Sequence, residues 1–418
     1  MTEAAAQAET TTPPDEREAA RILAEAASEG RTVRVEGRGT RVHRSPGEGP
    51  RGSPEDRPAL RMSSSALEGV ESYEPADLVM TVRAGTPLSH VRKVAAAEGQ
   101  WVALDPPGGG QRSVGGAVAG GEYGPLHAGL GLPREQVLAA RVATSDGRLL
   151  TLGAPVVKNV AGFDLLKLLP GSRGRLGLVT AITLRLHPVP PEERTFIFQE
   201  PDPAEAARIA RRLAEAPVSV LAFELLVRCP EADEAGAAVA IHVAGRGSAL
   251  DAVERSLEAA GGRAASQVLG PEATHGFFEA LSRAEGAVTR PAHLMCPPAR
   301  VPDAVEGLEA ALAESAAPGP GSAAAPTPVR VHVLGGRLRL APEAPAVPDA
   351  QALLSDVAER LRQKEPQAAH GPGAASRRPG PPSSDEGGVA RLVSGIRKVF
   401  DPQGVLVDPG SPWREMRT

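Results

Sequence analysis

The chain has 418 residues, a formal net charge of −5 and 41% hydrophobic residues. This length favours about two domains, since one hydrophobic core rarely serves more than about 250–300 residues. The negative charge argues against nucleic acid as a partner. With Cys229 and Cys296 as its cysteines, the chain excludes a disulfide framework and an iron–sulfur cluster held by about four of its own thiolates.

Neither a signal peptide nor an apolar run of roughly 20 residues stands out in the sequence. We therefore expect a cytoplasmic protein, or one held peripherally at the inner membrane through partner proteins.

The first elements predict a small α/β lobe. Residues 1–16 lack periodicity and are expected to form a disordered tail, with Asp15 placed to cap a helix that runs to about Ser28. The alternating strand Thr32–Val35 then leads into the turn Gly37–Thr40. This turn combines two glycines, a cation and a hydroxyl, and such a set of donors suits a diphosphate.

A second α/β lobe is predicted from the segments that follow. Leu78–Ala84 is typical of a strand, Thr86 and Pro87 are expected to start a helix, and Trp101–Leu104 returns as a strand. The pattern is therefore β-α-β twice. Asp146-Gly147 between two apolar runs then predicts a β-hairpin.

Two glycine-dense turns dominate this region, Pro106–Gly121 and Gly171–Gly177. Glycine allows φ > 0 and lets backbone N–H groups approach a bound group closely, and successive N–H groups form anion sites. We therefore predict a cradle for a phosphorylated cofactor; the alternative is that these segments are only tight turns. Asp164–Leu169 is expected to be a short helix, and Leu178–Leu186 a strand.

The pattern of predicted strands and helices changes after the first domain, which we place at residues 17–190. Residues 191–365 alternate strands and helices, and this pattern predicts an α+β domain whose antiparallel sheet is backed by helices. Residues 366–388 are rich in Ala, Pro, Gly and Ser and predict a flexible linker. Residues 389–418 predict a helix and a tail that return to the first domain.

Several common catalytic sites have no counterpart in the sequence. There is no P-loop, no Rossmann glycine fingerprint, no Gly-x-Ser-x-Gly elbow and no histidine pair at metal-ligand spacing. We therefore expect no nucleotide hydrolysis, no Rossmann cofactor and no metal. His127, in the glycine-rich region, is either a covalent attachment point or, more commonly for such a position, a loop histidine.

The order of several segments is typical of a known family. These segments are 78–88 (LVMTVRAGTPL), 113–116 (SVGG), 157–169 (VKNVAGFDLLKLL), 171–186 (GSRGRLGLVTAITLRL) and 400–410 (FDPQGVLVDPG). Together they resemble the FAD-binding oxidoreductases of the PCMH (vanillyl-alcohol oxidase) type, and among these the FAD-binding E subunits of glycolate oxidase. The resemblance implies an α+β protein, with a PCMH-type FAD-binding domain of two α/β lobes and an α+β cap domain.

The same resemblance implies which residues bind the cofactor. The loop after the first strand would contact the FAD diphosphate, a second loop would face the flavin and ribityl side, and the backbone near Val179 would meet the adenine. Lys158 and Asn159 would orient the flavin or a carboxylate, or else only form a turn before Asp164. The candidate cofactor-binding residues are Gly37, Arg38, Gly39, Thr40, Pro107, Ser113, Val114, Gly115, Gly116, Gly120, Lys158, Asn159, Gly177 and Val179.

The resemblance also implies a reaction, although the sequence offers no base for it. Related D-2-hydroxyacid dehydrogenases carry a His-Gly-Asp-x-Asn-x-His run that this chain lacks, so the catalytic residues are unknown. The implied function is that of an FAD-binding subunit in a glycolate oxidase-like complex, which oxidises a 2-hydroxy acid (glycolate or D-lactate) to the 2-oxo acid.

The implied partners are a second flavin subunit and an iron–sulfur subunit. Three alternatives remain: a stand-alone FAD-dependent dehydrogenase of another hydroxy substrate, a non-catalytic flavin-binding scaffold subunit, and a structural protein without a cofactor.

Overall fold

A computed structural model describes residues 9–40, 59–154, 164–229, 236–287, 292–315, 329–340, 350–363 and 394–406. These residues build β-sheets of three, six and seven strands, with helices packed around them. We call the units built on these sheets the first lobe, the second lobe and the cap. The mixture of helices and sheets confirms the predicted α+β class.

The first lobe consists of β1 (Glu9–Thr11), α1 (Glu16–Ser28), β2 (Val33–Glu36) and β3 (Leu60–Ser63). Its strands are parallel, in the order β1-β3-β2. Asp15 starts α1 as predicted, because its carboxylate accepts a hydrogen bond from the Glu18 N–H at 2.9 Å. The prediction of a disordered tail over residues 1–16 is wrong at β1, which is too short to show a local signal and is ordered by pairing with β3.

The second lobe is an antiparallel sheet in the order β4-β5-β9-β7-β8, with β6 also paired to β9. Its elements are β4 (Val70–Glu74), β5 (Val79–Arg83), α2 (Leu88–Ala96), β6 (Gln100–Val102), α3 (Val114–Gly120), α4 (His127–Leu130), α5 (Pro133–Gln136), β7 (Val137–Ala143), β8 (Leu149–Gly153) and β9 (Leu178–Pro188). The predicted hairpin is confirmed, since β7 and β8 pair across Gly147, which has φ +82°. The predicted order β-α-β is present, but β5 and β6 each pair antiparallel with the long central strand β9.

Two local predictions in this lobe need correction. The Thr86 hydroxyl donates to the Arg83 carbonyl at 2.7 Å and accepts from the Gly69 N–H at 2.9 Å, so it does not cap α2. Pro87 takes the N-cap position instead. The short helix expected before the second glycine-dense turn is a 3-10 helix over Leu165–Leu168.

The cap is a seven-stranded antiparallel sheet in the order β13-β10-β12-β11-β15-β16-β14. Its elements are β10 (Glu192–Glu200), α6 (Pro203–Ala214), β11 (Ala222–Val227), β12 (Ala237–Gly245), α7 (Gly247–Gly261), β13 (Gln267–Leu269), α8 (Pro271–Ala287), β14 (Ala292–Met295), α9 (Val301–Ser315), β15 (Val329–His332), β16 (Arg337–Leu340) and α10 (Ala350–Gln363). This is the antiparallel sheet backed by helices that the sequence pattern predicts.

The two faces of the cap sheet differ in chemistry. Alternate strand residues such as Phe223, Leu225 and Val331 belong to a large apolar core shared with α6, α7, α9 and α10. Their neighbours Glu224 and His332 therefore lie on the opposite face, because successive side chains of a strand alternate. This second face is buried and carries charge.

The cap and the second lobe are in direct contact on this polar face. The Gly129 N–H of α4 donates to the Leu221 carbonyl just before β11 at 3.2 Å. The Gly108 N–H donates to the Ser282 carbonyl of α8 at 2.8 Å. Polar side chains from both units therefore meet at this junction.

The described C-terminal residues pack against both lobes. Residues 394–400 are helical, and Phe400 is buried in the core of the second lobe. Leu406 forms a parallel bridge with Val33, and the Val33 N–H donates to the Val405 carbonyl at 2.8 Å. The linker predicted over 366–388 lies outside the described residues.

Candidate functional site

Three glycine-containing loops surround one cleft on the two lobes. The loops follow β2, lead into α3 and precede β9. Counting the solvent space at its mouth, the cleft has a volume of about 940 Å³. The candidate residues that line it are Gly37, Arg38, Gly39, Thr40, Ser113, Gly115, Gly116, Gly120, Gly177 and Val179.

The first loop meets the second at Gly37. A Cβ atom on Gly37 would lie 2.6 Å from Ser113 Oγ and 3.2 Å from Gly116 Cα, so a side chain there would push the two loops apart. Gly39 has φ +69° and open space around its Cβ position. The backbone N–H groups of residues 38–40 have no hydrogen-bond acceptor among the described residues. This loop therefore keeps donors for an anion.

The second loop forms the start of α3 and uses most of its own donors. Ser113 is the N-cap, and its Oγ accepts from the Gly116 N–H at 3.2 Å. The Val114 and Gly115 N–H groups donate to the Thr86 and Ala84 carbonyls at 3.0 and 2.8 Å. The amides of Val114 and Gly115 therefore hold α3 against the end of β5, and this loop offers the cleft a surface without side chains rather than a set of free donors.

The third loop closes the other side of the cleft. A Cβ on Gly174, which has φ +80°, would lie 2.8 Å from Val35 Cβ, so the loop packs against β2 through a glycine. Gly177 has φ +119° and its Cβ position overlaps the Ala143 carbonyl oxygen. Both glycines are thus required by close backbone packing, and they bring Val179 to the cleft wall.

The cleft has an excess of positive charge. Four arginines and two glutamates line it, namely Arg34, Arg38, Arg112, Arg173, Glu36 and Glu122. Glu36 pairs with Arg61 at 3.2 Å, and the buried Arg112 pairs with Glu122 at 2.7 Å. Each of the two carboxylates already has an arginine partner, and arginines outnumber carboxylates in the lining. This excess of positive charge suits a diphosphate.

Sequence reasoning named one of these arginines, Arg38, and missed the other three. Arg34 was the nearest to a visible signal, since a charged residue at a buried strand position is uncommon.

Two of the described candidate residues, Val114 and Pro107, do not line the cleft. The Val114 side chain is buried in the core of the second lobe. Pro107 lies at the contact with the cap, where its carbonyl accepts from Arg112 Nη1 at 3.4 Å. Lys158 and Asn159 lie outside the described residues, so their role stays a prediction.

The segment after Pro107 packs tightly on helix α8. A Cβ on Gly286 would overlap the backbone of Gly108. We expect Gly286→Ala to lower the free energy of unfolding by about 1–3 kcal/mol. The added Cβ would clash with backbone atoms of Gly108, which cannot move away as the end of a flexible side chain can. Chemical denaturation measures this loss. Gly276→Ala, on the same helix with nothing within 4 Å of its Cβ position, is the control and should be neutral or stabilising; equal losses would contradict the contact.

A group of buried and half-buried polar side chains lies where the second lobe meets the cap. We call it the junction cluster: Tyr123, His127, Glu224, His332 and Arg337. His332 Nδ1 lies 2.6 Å from Glu224 Oε1, and the rings of His127 and His332 meet edge to face at 5.1 Å. The Tyr123 ring lies 4.7 Å from that of His127, and the Arg337 guanidinium carbon lies 4.6 Å from the Tyr123 centroid.

Burial shapes the charges around the junction cluster. The carboxyl of Asp105 accepts from the Gly124 and Leu126 N–H groups at 3.0 and 2.8 Å, and so fixes the loop that carries Tyr123 and His127. Burial raises the pKa of Asp105 to about 6, and it lowers the pKa of His127. His127 is therefore neutral at neutral pH.

The junction cluster adjoins the cleft through one short stretch of chain. Gly120 and Glu122 line the cleft, and the next residue, Tyr123, belongs to the cluster. The chain thus passes directly from the lining of the cleft into the junction cluster. Among the described residues, no group of three or more His, Cys, Asp or Glu side chains is arranged to hold a metal ion.

Comparison with known proteins identifies the domain that contains most of the cleft. The family described as "FAD binding domain" matches residues 9–153. The chain carries a PCMH-type FAD-binding domain. The predicted type of FAD-binding domain and the predicted cofactor, FAD, are thereby confirmed.

The relatives of this FAD-binding domain include subunits of one oxidase. The chain is 41% identical over 123 residues to glycolate oxidase subunit GlcE of Escherichia coli (strain K12), which covers 29% of this chain and 35% of that protein. It is 36% identical over 107 residues to subunit GlcD of the same organism, covering 26% and 21%. It is 34% identical over 142 residues to D-2-hydroxyglutarate dehydrogenase of Xanthomonas citri pv. viticola, covering 34% and 30%. The matches thus span about a third or less of each relative's length.

A solved structure supports the fold over nearly the whole chain. That of alkyldihydroxyacetonephosphate synthase superimposes with a TM-score of 0.68 and covers 95% of this chain and 76% of that one. At 14% identity the likeness concerns the fold alone. No helix in the described part of the chain combines the length and apolar character that a bilayer crossing needs.

Proposed function

We propose that this protein is an FAD-dependent oxidoreductase that oxidises a small 2-hydroxy acid, glycolate or D-lactate, to the 2-oxo acid. The observation that carries the proposal is the cationic glycine-lined cleft of an FAD-binding domain. Relatives named for glycolate, D-lactate and D-2-hydroxyglutarate support the substrate class.

The residues of the cleft fit FAD. The surface where Gly37 meets Gly116 has no side chain and admits a close backbone approach to a ligand. The N–H groups of residues 38–40 and the guanidinium of Arg38 would bind the diphosphate, with Arg38 held in place by Glu68 at 3.1 Å. Val179 and Gly177 would line the adenine end.

The junction cluster would hold the substrate. When bound, FAD supplies the hydride acceptor for the reaction. Arg337 is 8% exposed and lies on Tyr123, and it would pair with the substrate carboxylate, since a guanidinium presents a planar fork of donors. Glu224, His332 and Arg337 are buried, and charge interactions are stronger at such sites than in water.

The protein would work as a subunit of a complex. Its likeness to both GlcE and GlcD supports assembly with a second flavin subunit. An iron–sulfur subunit would carry electrons onward, since Cys229 is buried and burial raises the pKa of the Cys296 thiol to about 11, which makes neither a good metal ligand. Location in the cytoplasm or peripherally at the inner membrane stays a prediction.

A second candidate is a dehydrogenase that acts alone. The likeness to D-2-hydroxyglutarate dehydrogenase and to D-lactate dehydrogenase of Anaerostipes hadrus favours it. Turnover of the purified single chain with an artificial electron acceptor would distinguish it from an obligate subunit.

The experiment that tests the proposed function uses the purified chain. We expect flavin absorbance bands, and anaerobic addition of glycolate or D-lactate should bleach them. Acid precipitation then separates covalent from dissociable flavin. A chain that stays colourless after incubation with FAD would contradict cofactor binding, and a loaded chain that neither acid reduces would contradict the reaction while leaving a flavin-binding scaffold.

A further inference from the structure

The imidazole of His332 is held in one orientation by a buried carboxylate. His332 is 1% exposed on β15, and its Nδ1 lies 2.6 Å from Oε1 of Glu224, which is fully buried. Burial acts to raise the pKa of Glu224, but the charge of Arg330 and the hydrogen bonds from His332 and Arg330 outweigh it and hold that pKa below its usual value. An ionised carboxylate can only accept, so Nδ1 carries the proton and the neutral ring has its lone pair on Nε2.

The lone pair on His332 Nε2 has no hydrogen-bond donor among the described residues. This nitrogen is also buried. The neighbouring His127 cannot supply a proton, because its Nδ1–H donates to the Gly124 carbonyl at 2.8 Å and its own Nε2 is also an unpaired acceptor. An unpaired buried acceptor is costly, and such a group calls for an explanation such as a ligand that donates to it.

The groups that face His332 come from several elements. Glu224 of β11 and Arg330 of its own strand are bonded at 2.8 Å, and Arg330 also bonds Glu285 of α8 at 3.0 Å. The remaining neighbours are Tyr123 and His127 of the second lobe, Arg337 of β16 and Asp105. Of these groups, Glu224 is the one whose carboxylate is in direct contact with the His332 ring.

We propose that His332 Nε2 is the base that accepts the hydroxyl proton of the 2-hydroxy acid, with Glu224 as its positioning residue. This inference rests on the proposed function. The substrate O–H bond would break with its proton passing to Nε2, and the oxygen electron pair would form the second bond of the carbonyl. FAD, when bound, would supply the acceptor for the hydride that leaves the C–H bond. The Glu224 carboxylate stabilises the imidazolium that results.

The first test is His332→Gln in the FAD-loaded chain. Glutamine keeps a donor for Glu224 but cannot take a proton at neutral pH. We expect normal flavin content and a 10²- to 10⁴-fold slower anaerobic reduction of the flavin by glycolate or D-lactate, which is about the usual contribution of a general base.

The matched control is His242→Gln. His242 is also a buried histidine of the cap sheet, 4% exposed, with its Nε2 3.1 Å from Glu193 Oε2 and its Nδ1 unpartnered. The flavin of the His242→Gln protein should be reduced at the wild-type rate. If the flavin of the His332→Gln protein is also reduced at the wild-type rate, the inference is overturned and the proposed function still holds. If neither acid reduces the flavin of the wild-type protein, both the inference and the proposed function are wrong.

Glu224→Gln tests the positioning role. Loss of the carboxylate beside the base should lower the maximal rate of flavin reduction and also shift the pH at which that rate is half-maximal. A purely structural role of Glu224 would lower the maximal rate without that shift, and that result would overturn the assignment.

A spectroscopic measurement tests the same proton without turnover. In the oxidised, FAD-loaded chain labelled with ¹⁵N-histidine, addition of pyruvate should move the Nε2 resonance of His332 toward its protonated position, because the oxo group of this product can accept a hydrogen bond only from a protonated Nε2. The resonance is identified by its loss in His332→Gln. A resonance that does not move at saturating pyruvate would overturn the inference.

Discussion

Replacing Gly120 with leucine should lower the affinity for FAD by about 100-fold or more, which corresponds to about 2.7 kcal/mol of binding free energy. Gly120 ends α3 and lines the cleft. Its Cβ position lies 3.6 Å from Glu122 Cγ and 3.8 Å from Arg112 Nη2, which are ordinary contact distances. A leucine can therefore be accommodated by the fold, but its branch occupies space that the cofactor would need. Titration of the flavin-free chain with FAD, followed by fluorescence, measures the effect.

The matched control is Gly276→Leu. Gly276 lies within α8, is exposed and has nothing within 4 Å of its Cβ position. Both substitutions add the same side chain to a helical glycine, so they differ in whether that side chain faces the cleft. Binding of FAD by a folded Gly120→Leu protein as tightly as by the control would contradict the placement of FAD in this cleft.

Replacing Arg330 with methionine should lower the free energy of unfolding by about 3–5 kcal/mol at neutral pH, the usual cost of removing one partner from a buried ion pair. Arg330 is 6% exposed, and its Nε and Nη1 bond carboxylate oxygens of Glu224 and Glu285 at 2.8 and 3.0 Å. Without Arg330 these two carboxylates, 0% and 5% exposed, lose a shared cation. Chemical denaturation of the two proteins measures the difference.

This loss should depend on pH with a defined sign. In the variant, burial without the cation would raise the folded-state pKa of Glu224 above its unfolded value. The destabilisation is then fully developed above that raised pKa and shrinks as the pH falls and Glu224 takes up a proton.

Arg208→Met is the control, because Arg208 Nε also bonds a glutamate oxygen, Glu205 Oε2, at 2.8 Å but its side chain is 51% exposed. Its removal should have no resolvable effect. Equal losses in the two variants would contradict the role of burial.

The parts of the fold that were predictable have local causes. The Asp15 cap, the hairpin at Gly147 and the apolar alternation of the cap strands each depend on residues a few positions apart. Strand β1 was missed because its three residues are ordered by β3, about 50 positions along the chain. Thr86 was misassigned because its hydroxyl has a better partner in Gly69, which the local sequence does not reveal.

In the candidate site, too, the predictable features were those with local causes. Glycine marks positions where the backbone needs a positive φ or a close approach, so the loops at Gly39 and Gly177 were visible as loops. Sequence reasoning did not distinguish the role of Gly115, whose Cβ position lies 2.7 Å from Ala84 Cβ and whose amide holds α3 to β5. Nor did it identify a base, because the partners of His332 are distant in sequence.

The sequence by itself determined where glycine-rich turns would form, since the freedom of a glycine backbone is a property of the residue. The tertiary structure alone decided which charges line the cleft between those turns and which histidine has a buried ring nitrogen without a partner among the described residues. Glu224, His332 and His127 come from different strands and domains, and they meet because strand register and alternation place them on the one cap face that the second lobe covers. Register and domain packing result from the burial of whole sheets, and no short segment of the chain contains that information.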